Sequence, residues 1–239
     1  MLDEWARRET IRYHERLYGE RELFAPGSWL ASPARFILGA LEVIQPAGKT
    51  TVLDLGCGVG RHAIPIAKQF GPSATVHCVD LLASAVGRLR EYAMRYGVAD
   101  QITSEVCDLE NLVLAHAAYD AVVCCSCLEH MSSTRAVRVL LENAVRATRP
   151  GGVHALMVGV GHSRVAIDSG EPLQTGFELS VDRSEFDALL RQVYSGWEFR
   201  LTSKTWDVEE TFAGAQTRLK SLCMMVCARS PGVAAGVSP

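Results

Sequence analysis

The stretch VLDLGCGVGRHAIPIA, Val52 to Ala67, decides how the rest of the chain is read. Its glycines, Gly56, Gly58 and Gly60, alternate between a short apolar run and a segment of helical spacing. A strand that ends in glycines and feeds a helix N-terminus brings backbone N–H groups and a positive dipole end to a ligand, and the missing side chains let a nucleoside lie against the main chain. A dinucleotide loop of pattern G-x-G-x-x-G/A would place its third small residue at position 61. Arg61 stands there, which disfavours a pyrophosphate.

Downstream of the loop, strand-like and helix-like segments alternate: TVHCVDL, LASAVGRLREYAMRYG, QITSEVCDL, YDAVVCCSC, STRAVRVLLENAVRATRPGG and VHALMVGV. Strands separated by helices imply βαβ units and a parallel sheet. A loop-rich insert is expected from Gly161 to Gly176, then a helix from about Asp182. The runs WEFRLTSKTWDVEE and RLKSLCMMVCAR flank FAGAQ and must pair antiparallel, because their connection is short. Before the loop, Glu4 to Tyr18 reads as a charged amphipathic helix, FAPGSWLASP breaks it, and Ser32 to Ile44 resumes a helix with Ser32 as N-cap and Pro33 in its first turn. The organisation expected is a helical extension over 1–46, a ligand-binding domain over 47–229 and a disordered tail over 230–239.

At 239 residues the chain suits one α/β domain with an appendage. Its 24 basic and 27 acidic residues form no block of like charge, which argues against a nucleic-acid partner and for a small molecule. No run is apolar and long enough to span a bilayer, and the amino terminus lacks a signal-peptide core, so a cytoplasmic protein is expected. The eight cysteines form no pair of C-x-x-C knuckles, so they read as reduced core thiols and no metal is expected. Monomer and homodimer both remain open.

Two acids add to the loop. Asp80 closes the second strand, where a carboxylate can accept from both ribose hydroxyls, and Asp108 closes the third, where it can accept from an adenine amine while Leu109 supplies an apolar wall. Each aspartate alone could be a cap or turn acid. The ordered set of loop and two acids resembles the class I S-adenosylmethionine-dependent methyltransferases: DLGCGVGR is similar to their glycine motif, CDL to their adenine motif, YDAVVCCSCLEHM to their fourth-strand motif and RPGG to the turn before their fifth strand. The resemblance implies a Rossmann-like α/β fold, a seven-stranded mostly parallel sheet in the order 3-2-1-4-5-7-6 with strand 7 antiparallel, and helices on both faces. It also implies S-adenosylmethionine as cofactor, held by Asp54, Gly56, Cys57, Gly58 and Gly60 in the loop, by Asp80, Leu81, Asp108 and Leu109 at the next strand ends, and by Cys125.

More narrowly, GCGVGRHAIPIA, RLYGERELFAPGSWL and the final hairpin resemble the tellurite-resistance methyltransferase type. That type places a His-Arg pair at the start of the hairpin and a further arginine on its last strand. Here the pair is replaced by Glu209 and Glu210, which would repel an oxyanion, while Arg61 and Arg218 fit the pattern. Methyl transfer asks mainly for in-line positioning, with a base only where the nucleophile arrives protonated. The catalytic candidates are Arg61, His130 and Arg218, with Ser126 and Glu129 beside His130. The segment Tyr13–Leu30 is expected to act as a lid, with Tyr18 and Trp29 facing the ligand. Two other classes stay open: a nicotinamide oxidoreductase, and a domain that binds S-adenosylmethionine as a sensor or scaffold without turnover.

Overall fold

The computed structural model describes residues 4–44 and 48–232. Five strands, β1 (Thr51–Leu55), β2 (Thr75–Asp80), β3 (Ile102–Val106), β4 (Tyr119–Cys125) and β5 (Thr148–Ala166), run parallel, followed by the two-residue β6 (Pro172–Leu173) and the hairpin β7 (Glu198–Phe212) and β8 (Ala215–Arg229). The sheet order is β3-β2-β1-β4-β5-β8-β7, with β8 antiparallel to both neighbours. This is the expected order with one added strand, because β6 folds back on the end of β5.

The central strands are buried on both faces, as parallel strands covered by helices must be. On one side Leu53, Leu55, Val122 and Leu156 pack beneath α5 (Thr134–Ala147) and α6 (Arg183–Val193). On the other, Val52, Val76 and Val123 pack beneath α2 (Arg35–Leu41), α3 (Ala63–Phe70) and α4 (Ala83–Arg95). Ser133 and Asp182 begin α5 and α6 as side-chain N-caps, accepting from Ala136 and Glu185. The hairpin turns at Ala213 (φ 48°) and Gly214 (φ 83°), the paired left-handed residues of a two-residue turn whose twist matches the strands.

Two expectations change. The second helix starts at Arg35 rather than beside Ser32; its first amides are met from outside, His62 Nε2 accepting from the Ala34 N–H at 3.2 Å. The segment after Val160 is not all loop: β5 continues to Ala166 past an irregularity at 160–163, because β8 is long enough to pair with it. The boundary expected at 46/47 and most of the expected tail lie outside the described residues.

α1 (Glu4–Glu20) crosses the C-terminal ends of the parallel strands. Its Arg7 reaches Asp108 beyond β3, its Thr10 reaches His130 beyond β4, and its Tyr18 packs at Gly58 beyond β1. Ligands of open α/β sheets bind at that edge.

Candidate functional site

A cavity lies between α1 and the strand ends, with about 710 Å³ of empty space, open solvent at its mouth included. Gly56, Asp80, Leu81, Asp108, Leu109, His130 and Tyr18 of the expected residues line it. Arg61, Arg218, Trp29, Asp54, Cys57, Gly58, Gly60 and Cys125 are not part of that lining.

The loop's amides explain part of this. Gly56 and Cys57 donate their N–H groups to Val79 O at 2.8 and 3.1 Å, and Gly58 donates to Asp80 Oδ2 at 2.7 Å. The amides expected to face the ligand are thus turned into the end of β2, and no row of free donors remains for a pyrophosphate. Gly58 (φ 52°) must be glycine for a second reason: a Cβ there would sit 2.6 Å from the Tyr18 hydroxyl. Gly60 serves packing, with a Cβ there meeting Leu89.

Asp80 also accepts from Leu82 N at 2.9 Å. Burial pushes its carboxyl up, against the hydrogen bonds of Leu82, Gly58 and Leu81. Asp54, behind the loop, is pushed up to about 8 by burial and then by the charge of Asp80, and its Oδ2 is buried without a hydrogen-bond partner. Four carboxylates, Asp80, Asp108, Glu110 and Glu178, line the cavity against one guanidinium, Arg7. That balance suits a cationic ligand and opposes a polyanion. The acid-rich lining, with Gly56 in its wall, fits S-adenosylmethionine, which carries a sulfonium and an ammonium.

Four expected residues lie elsewhere. Arg61 donates Nε–H to Ser32 O at 2.7 Å and rests on the Trp29 ring at 5.3 Å, so it clips the extension to the domain. Trp29 meets Tyr18 and His14 edge-on instead of facing the cavity, leaving Tyr18 as the aromatic of that pair that lines it. Arg218 forms a two-point ion pair with Asp207 at 2.7 and 2.9 Å on the exposed hairpin, because strand register puts it outward. Cys125, pushed up to about 12 by burial, belongs to the strand core. Glu210 pairs with the buried Arg164, which also lies 3.8 Å over Phe212 and ties the hairpin tip to the 172–176 segment.

Sequence reasoning missed Arg7, Thr10, His14, Cys127, Met131 and Glu178, all in the lining. Arg7, Thr10, Ile11, His14 and Tyr18 fall at i, i+3, i+4, i+7 and i+11, one stripe of α1, and that spacing was the available signal. Arg7 Nη2 donates to Asp108 Oδ2 at 2.6 Å and Nη1 to His130 O at 3.2 Å. Ser126, with φ 52°, is a non-glycine residue held in the left-handed region at the cavity wall. Among the described residues no group of three or more His, Cys, Asp or Glu is arranged to hold a metal.

The sheet order, the loop and the acids at successive strand ends define a Rossmann-like class I methyltransferase fold. Residues 52–152, under half of the chain, match the family described as "Methyltransferase domain". The chain is 27% identical over 145 residues to norajmaline N-methyltransferase of Rauvolfia serpentina, covering 58% of this chain and 47% of that one. It is 30% identical over 160 residues to the S-adenosyl-L-methionine-dependent Diels-Alderase iccD of Talaromyces variabilis, covering 62% and 52%. It spans about half or less of the length of the curated relatives it matches. Phosphoethanolamine N-methyltransferase 2 of Haemonchus contortus, solved with S-adenosyl-L-methionine, shares the fold at a TM-score of 0.60 and 16% identity, covering 93% of this chain and 57% of that one.

Proposed function

We propose that the protein transfers a methyl group from S-adenosylmethionine to a small-molecule acceptor. The observation that carries this reading is the acid-rich cavity at the strand ends, with Asp80 and Asp108 in its wall and a loop whose amides are already used. S-adenosylmethionine bound there supplies a methyl group activated by the adjacent sulfonium. Asp80 would accept from the ribose hydroxyls and Asp108 from the adenine amine, while α1 excludes water from the acceptor end. The acceptor would meet Thr10, His14 and His130, which leaves the catalytic role to His130 among the expected residues. A metalloid oxyanion, as in the tellurite-resistance type, is disfavoured because Arg7 is the sole arginine among the described residues lining the cavity and already holds Asp108. Free thiols at all eight cysteines suit a cytoplasmic setting, and no described helix is long and apolar enough to cross a membrane.

A second reading keeps the cofactor without methyl transfer: the Diels-Alderase aligns over more of this chain than the N-methyltransferase does. Calorimetry with S-adenosylhomocysteine, followed by an S-adenosylhomocysteine-release screen over hydroxyl, amine, thiol and metalloid acceptors, separates the two. Micromolar binding with turnover of one acceptor class is expected. Binding without release from any class would favour the second reading, and no binding would sink both.

A further inference from the structure

His130, in the short turn after β4, meets a polar cluster drawn from two other parts of the chain. Its Nδ1 lies 2.9 Å from Glu178 Oε2 and 3.3 Å from Thr10 Oγ1. The Thr10 hydroxyl has one proton, and its shortest acceptor is Gly176 O at 3.0 Å. With that proton committed, both groups facing Nδ1 are acceptors, so Nδ1 carries the hydrogen and Nε2 keeps its lone pair. The Glu178 side chain is fully buried; its Oε1 has no hydrogen-bond partner and stands 3.9 Å from Arg7 Nη1. Glu178 comes from the segment between β6 and α6, where Leu179 N donates to Glu129 O at 3.1 Å and locks the backbone to the His130 turn. Phe177 stacks on the His130 ring at 5.2 Å and holds its plane.

A buried carboxylate is retained at such a cost only where it has a charge or donor to meet. We propose that Glu178 is a positioning residue that holds His130 as an Nε2 base, and that the acceptor is therefore a molecule whose nucleophilic atom still carries a hydrogen, a hydroxyl or a protonated amine. The inference rests on the methyl-transfer reading above. In the step, the acceptor's X–H bond gives its proton to Nε2 while an electron pair of X forms the bond to the methyl carbon. The pair of the broken carbon–sulfur bond stays on sulfur. The resulting imidazolium faces Glu178, whose negative charge stabilises it; the proton then leaves to solvent. A thiolate or a tertiary amine needs no such base.

The test starts in the protein without ligand. In a sample with nitrogen-15 histidine, His130 is assigned by its loss in His130→Gln, and its two ring nitrogens are read by long-range proton–nitrogen correlation. The expected result is a protonated Nδ1 in the wild type and in Glu178→Gln, whose amide oxygen still accepts, and a shift to the Nε2–H form in Glu178→Ala. With an X–H acceptor from the release screen, kcat should fall about tenfold in Glu178→Gln and about a hundredfold in Glu178→Ala, with KM within twofold. With a tertiary amine analogue the same variants should keep wild-type kcat. S-adenosylhomocysteine affinity should stay within threefold throughout, which shows that fold and cofactor site survive. A protonated Nε2 in the wild type, or an equal loss of kcat on both acceptor kinds, overturns the proposal. Absence of S-adenosylhomocysteine binding in the wild type overturns the methyl-transfer reading instead and leaves the tautomer result to stand or fall by itself.

Discussion

Asp80 carries two jobs at once, and the pair of them shapes what its replacement will do. Its oxygens hold Gly58 N and Leu82 N, so the carboxylate builds the loop as well as facing the cavity. Asp80→Asn keeps one acceptor for the loop and removes the charge. S-adenosylhomocysteine affinity should drop by a factor of about ten or more, since charge-assisted hydrogen bonds contribute roughly 1.5 to 3 kcal/mol each. Calorimetry beside a melting curve checks it; a variant that melts normally and binds like the wild type would remove Asp80 from the ribose site. Residue identity told much here. The acid at the end of a second strand is readable because its place is set by local chain order, whereas Glu178 is some fifty residues beyond His130 and no spacing rule joins them.

At the scale of elements, α1 is the piece that closes the cavity. The loop after it is an anchor: Leu23 N donates to the Tyr92 hydroxyl at 3.1 Å, Phe24 N donates to Leu30 O at 3.1 Å, and Leu30 is fully buried. In the segment Tyr13–Leu30, expected as a lid, the aromatics near Pro26 and Gly27 pack on the end of α4 and on Arg61. Arg7 occupies Asp108, the acid assigned to the adenine amine, so a ligand must compete with it. Arg7→Ala should tighten S-adenosylhomocysteine binding by roughly fivefold, about 1 kcal/mol, the upper end for a partly exposed ion pair. It should also speed amide exchange along α1 in the free protein. Weaker binding in that variant would mean that Arg7 itself contacts the ligand.

Over the whole molecule, buried histidines set the response to acid. His154 sits under the sheet between Thr148 Oγ1 at 2.7 Å and the Tyr194 hydroxyl at 2.8 Å, and burial lowers it from 6.5 to about 3; His62 is likewise lowered to about 3 by burial, then by Arg61. Both stay neutral in the fold, so their contribution is complete above pH 6.5 and declines as the unfolded chain takes up protons that the folded one refuses, down to about pH 3. Each such group changes stability by up to about 1.4 kcal/mol per pH unit in that window. Asp54 works the other way, since its folded value near 8 means that it costs stability as pH rises from 3.8, and burial raises Asp80 and Glu129 in the same sense, while His14 and His162, lowered to about 4 chiefly by burial, add to the histidine side. The melting temperature should therefore fall between pH 7 and pH 5, and His154→Gln should flatten that limb. An unchanged melting temperature over the interval would contradict the burial of these rings.

The sequence by itself determined the βαβ order, the glycine loop, the two acids, the start of a helix near Asp182 and the closing hairpin, because each depends on short-range spacing, turn chemistry or strand periodicity. Tertiary structure alone decided which side chains meet. It turned the loop amides of Gly56, Cys57 and Gly58 onto β2, sent Arg61 to Ser32 and Arg218 to Asp207, and laid the polar stripe of α1 across the strand ends. The physical reason is that a long cationic side chain goes to whichever acceptor the packed fold brings within reach, and the nearest acceptor in space is set by how elements dock, which no local pattern records.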